Sequence, residues 1–154
     1  MAYSMLLVAH SLWRWVVVAA VVARLARAVA AGGGAFTKVD RLLGIGAIIS
    51  LDVQLLLGLG LYCGLSPATS AAFEDVGSAM KDPYMRFWLV EHGPVLVGAV
   101  IAGHVGNVRV KKAVTDAGKH KAAAIAYGIA LLLILVAMPW PFRAIVGRPW
   151  LPGL

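Results

Sequence analysis

Six ionisable side chains sit inside long apolar stretches of this sequence: His10, Arg14, Asp52, Glu91, His92 and His104, with the uncharged Gln54 close to Asp52. A charge at the centre of a bilayer costs about 2.5–3.5 kcal/mol or more, so each of these residues is a candidate for function. His10 and His92 have the spacing that invites chemistry. Counted from the outer ends of their stretches, His10 lies roughly 9 Å deep and His92 roughly 8 Å deep, at 1.5 Å per helical residue. Two neutral imidazoles at one depth on different helices can hold a haem b iron from both sides, and Gly60, Gly93 and Gly98 leave room for a flat macrocycle. The plainer alternative is that each histidine hydrogen-bonds a neighbouring helix.

The other polar residues extend this reading. Arg14 lies one turn from His10 on nearly the same face, and Asp52 lies at about its depth, so the two are expected to pair. Such a pair would be a structural clamp, or the charged wall of a cofactor or quinone site. His104 follows His92 by about 18 Å along the axis, a spacing that invites a second haem, although the nearest second ligand, His120, sits in the basic linker. His104 is therefore expected to bind hydrogen-bonding partners or a quinone. Glu91 either relays protons, pairs with Arg86, or reaches for water at the interface. Asp52, Gln54 and Glu91 are expected to be buried polar groups. Met1, Met5, Met80 and Met85 share the outer side with the histidines, which makes copper conceivable. Hydrolytic and phosphoryl-transfer motifs are absent from the sequence.

These residues need helices to carry them. The chain of 154 residues is 61% hydrophobic and 14% charged, with a mean hydropathy of +0.85. Soluble domains carry about 25% charged residues. A bilayer core of about 30 Å takes roughly 20 apolar residues as a helix. Four stretches qualify, at about 4–23, 42–63, 87–108 and 122–138, the last stopped by Pro139 and Pro141. Period-two alternation is absent, which argues against a barrel. The expectation is an all-α, four-helix transmembrane bundle forming one domain over 1–154. The first stretch lacks a basic leader, and polar residues interrupt it, so it is expected to be a permanent helix rather than a signal peptide. Thr37 and the Asp82-Pro83 pair are suited to start helices, and a short amphipathic turn is expected around residues 72–80. Cys63 is the only cysteine, which rules out an intrachain disulfide and a thiolate cage.

The net charge of +7 reads as topology rather than nucleic-acid binding. The linkers after the first and third stretches hold Arg24, Arg27, Lys38, Arg41, Arg109, Lys111, Lys112, Lys119 and Lys121 against Asp40 and Asp116. The other side holds Lys81, Arg86, Arg143 and Arg148 against Glu74, Asp75 and Asp82. The positive-inside bias then puts both basic linkers in the cytoplasm and both termini outside. Trp140, Phe142 and Trp150 suit the outer interface.

The elements His10-x3-Arg14-Trp15, Asp52-x-Gln54-x3-Gly58 with Leu61-Tyr62, Glu91-His92, His104-x-Gly106 and Pro139-Trp140 together span most of the chain. In these the sequence resembles small bacterial four-helix membrane proteins of cytochrome b type, loosely b561-like. The resemblance implies a multi-pass protein of the bacterial inner membrane. It further implies haem b, electron exchange with the quinone pool or a partner redox protein, and histidine ligands on several helices. The sequence departs from that pattern in having three membrane histidines on two helices. Two other functions stay open: an accessory subunit of a larger membrane complex or homo-oligomer, and a small ion or proton transporter using Arg14, Asp52 and Glu91.

Overall fold

The computed structural model describes residues 1–151. The expected outside placement of Leu154 lies beyond the described residues. Four long helices carry the fold: α1 (Ala2–Ala31), α2 (Lys38–Leu65), α5 (Pro83–Lys112) and α6 (Asp116–Ala137). Two short helices, α3 (Pro67–Glu74) and α4 (Val76–Ala79), lie between α2 and α5, where the amphipathic turn is expected. All four long helices are long and apolar enough to cross a membrane. Their burial pattern agrees. Arg14, Arg24, Asp40, Ser50 and His120 are buried, whereas Leu56, Leu132 and Val136 are each more than 60% exposed. These polar groups face inward and these large apolar ones outward, as a bilayer solvent demands.

Each long helix packs against two others. α1 touches α2 and α6, α2 touches α5, and α5 touches α6. The ring is closed, and α1 and α5 are diagonal. The inner surfaces are lined by small residues, among them Ala28, Ala47, Ala99, Ala123 and Ala130, which let the backbones approach closely. Helix starts follow their sequence signals. The Asp82 carboxylate accepts from Met85 N ahead of Pro83, and Asp40 accepts from both the backbone N–H and the hydroxyl of Thr37.

The boundaries differ from expectation at three places. α1 runs on past Ala23 to Ala31 and stops at Gly32, whose φ of +52° suits a residue without a Cβ. It can continue through Arg24 because that guanidinium is buried between the rings of Phe36 and Tyr127. Second, π-helical turns occur at Leu61–Leu65 and Phe87–Glu91. Third, α6 starts at Asp116, ahead of the expected residue 122, and ends at Ala137. Residues 138–151 fold back against α1 without forming a helix. Backbone without helical bonds is tolerated at such depth only where protein satisfies it. Arg14 does so, donating to the carbonyls of Pro149 and Trp150 at 2.7 Å each, and Trp15 Nε1 adds a bond to Trp150. The start of α1 and the described end of the chain therefore share one end of the bundle.

Candidate functional site

Between the four helices, at the end where the chain starts, lies a cavity of about 470 Å³. Leu7, His10 and Arg14 enter it from α1, Gln54 and Gly58 from α2, and His92 from α5. Its walls are predominantly apolar, with a few polar groups converging, which is the usual character of a small-molecule or cofactor site.

His10 and His92 meet across this cavity from the diagonal helices, with ring centroids 6.2 Å apart and planes at 65°. The π turn at Phe87–Glu91 immediately precedes His92. An extra residue in one turn changes which face the following residues occupy, and such turns recur at functional sites. The matched depth expected for the two histidines thus becomes proximity.

Each ring is oriented by a neighbour. His92 Nδ1 lies 2.9 Å from the carbonyl of Ala137. A carbonyl only accepts, so Nδ1 carries the proton and donates it, and the Nε2 lone pair is left free. Gln54 Nε2 donates to the His10 carbonyl at 3.2 Å and lies 3.2 Å from His10 Nε2. His10 Nδ1 is buried without a partner among the described residues. A buried polar atom left unpaired costs about 1–3 kcal/mol. Gly58 makes room for the His10 ring: a Cβ there would lie 3.2 Å from His10 Cε1. Gly93 lies against the Tyr62 ring, whose hydroxyl donates to the Leu89 carbonyl at 2.7 Å.

The spacing admits a metal between the rings. A ring nitrogen sits roughly 1.1 Å from its ring centre, and metal–imidazole bonds are about 2 Å, so trans-ligating rings have centroids about 6 Å apart. Among the described residues, no three His, Cys, Asp or Glu side chains come together. The separation suits two imidazoles on one haem iron, but His10 presents its N–C–N edge to Gly58 and Gln54 of α2, so that ring would turn before one of its nitrogens faced His92.

Other expected site residues lie elsewhere. Arg14 and Asp52 do not pair. Arg14 turns to the tail carbonyls, while Asp52 accepts from His104 Nε2 at 2.8 Å. Depth counted along two helices fixes a level but not a direction around each axis. His104 is not among the cavity's lining residues; it and Asp52 are half-exposed on the outer surface shared by α2 and α5. Glu91 and Asp52 are each 42% exposed rather than buried, and Glu91 pairs with Arg86 at 2.8 Å. Gln54 is partly buried against His10, as a polar membrane residue should be.

Sequence reasoning missed two features. Trp88 and Arg148 line the cavity, with the Arg148 guanidinium 5.3 Å from the Trp88 ring centre. Arg148 comes from the folded-back tail, and nothing in its local sequence signals that return. The second is at the opposite end, where His120, expected in a linker, is a buried residue of α6 beside Phe36. No protein family, curated protein or solved structure matches this chain.

Proposed function

We propose that this protein is a b-type haem-binding electron carrier of the membrane, in which His10 and His92 would hold the haem iron. The observation that carries the reading is the pair of imidazoles 6.2 Å apart across an apolar cavity. One ring there has a free lone pair, and the other a buried unpartnered nitrogen. Bound there, haem would supply one-electron exchange between ferric and ferrous iron.

The chain's own groups set the conditions. Ala137 fixes the tautomer of His92, and Gln54 lies against the His10 ring. Arg14 and Arg148 bring positive charge to the cavity wall, where carboxylate substituents of a ligand would be met. The folded-back tail lies over the cavity, through Pro139 and Arg148, and limits access of water. Electrons would pass to the quinone pool or to a redox partner in the plane of the membrane, in the bacterial inner membrane that the resemblance implies.

An absorption spectrum tests this reading. Protein purified from haem-replete cells should show a Soret band and, on dithionite reduction, the sharp α-band of a six-coordinate b-type haem. Colourless protein that stays colourless when titrated with hemin would contradict it.

A further inference from the structure

A second cavity, of about 420 Å³, opens between α5 and α6 at the end of the bundle that carries the basic linkers. Its lining divides by chemistry. Arg109 and Lys121 stand at one end. Val105 and Ala102 lie one and two turns from Arg109 toward the bilayer centre, and Ile125 and Ile129 lie one and two turns from Lys121 in the same direction. Two cations thus top a furrow whose walls are apolar. The furrow has its floor where the helices touch at Gly106, since a Cβ at that position would overlap the Cβ of Ala126.

Both cations are uncommitted. Arg109 and Lys121 are exposed, and neither side chain makes an ion pair or hydrogen bond with a described residue. The nearby acid, Asp116, is taken by Lys119 at 2.8 Å. Ile125 and Ile129 are each about half-exposed, so the furrow is open to whatever surrounds the bundle.

We propose that this groove binds one anionic phospholipid, with its phosphate between Arg109 and Lys121 and an acyl chain along Val105, Ile125 and Ile129. The argument is charge complementarity at the right depth. The bases lie at the headgroup level of helices whose inward continuation is apolar, and basic pockets between transmembrane helices recognise anionic headgroups. A zwitterionic lipid would place its own cation beside the same two bases. Two bases near the surface discriminate by roughly 30-fold in affinity.

The test uses the full-length protein in detergent and native mass spectrometry with added phosphatidylglycerol, phosphatidylcholine or inorganic phosphate. Phosphatidylglycerol should be retained at least tenfold better than phosphatidylcholine, and inorganic phosphate should not compete, because the acyl chain contributes. Arg109→Gln with Lys121→Gln should erase the preference, while Lys111→Gln with Lys112→Gln, which removes the same charge outside the groove, should keep it. Ile125→Trp, which fills the furrow and leaves both bases, should also weaken retention. Equal retention of the two lipids would overturn the proposal. So would an equal loss in the Lys111/Lys112 variant, or a dimer forming on this face to the exclusion of lipid. Competition by inorganic phosphate would reduce the site to a free-anion site and overturn it as well.

Discussion

Gly58 leaves the space that the His10 ring occupies. A methyl group there would sit 3.2 Å from His10 Cε1, close enough that the ring must shift by a few tenths of an ångström. Gly58→Ala should therefore move or weaken the reduced α-band, even though alanine favours an α-helix by roughly 0.5–1 kcal/mol. Gly46→Ala is the control, since a Cβ there meets nothing within 4 Å. An unchanged spectrum in the Gly58 variant would separate this residue from the site. At the same scale, what the sequence shows is depth. His10 and His92 are legible as a matched pair because both stand out from apolar surroundings at one level. The partners of Arg14 and Asp52 are not legible, because a shared level leaves the azimuth open, and Arg14 is satisfied by a tail more than 130 residues away.

Among the elements, the basic end of the bundle depends on one carboxylate. Asp40 is fully buried, accepts from Thr37 at the start of α2, and is paired at 3.0 Å with Arg27 near the end of α1. It thus closes the turn between α1 and α2 from both sides. Asp40→Ala should cost about 2–3 kcal/mol in detergent unfolding. That is below the figure for a fully buried pair, because Arg27 is 36% exposed. Arg41→Ala, at an exposed neighbouring position, should change stability by less than about 0.5 kcal/mol. Equal effects would show that Asp40 is not the clamp. Helix starts are legible at Thr37 and Asp82 because their caps are local. The two π turns and the return of the tail are not. The return depends on a distant contact, that of Arg14 with Pro149 and Trp150.

For the whole molecule, four spans are legible from length and apolarity alone, and the closed ring that makes α1 and α5 diagonal is not. Diagonal placement is what lets His10 and His92 face each other through the centre rather than side by side. The charge bias predicts which way the ring stands. Reporter fusions after Gly34 and after Val114 should read as cytoplasmic, and a fusion at Thr69 as external. A cytoplasmic signal at Thr69 would invert the molecule and place the histidine cavity in the inner leaflet. The central claim, haem held between His10 and His92, is tested most directly by haem content per chain in four proteins purified alike. The parent and His104→Ala should each hold about one haem. His10→Ala and His92→Ala should each hold less than about a tenth of that. Full haem in either of the latter two variants, with its α-band unshifted, would contradict the account.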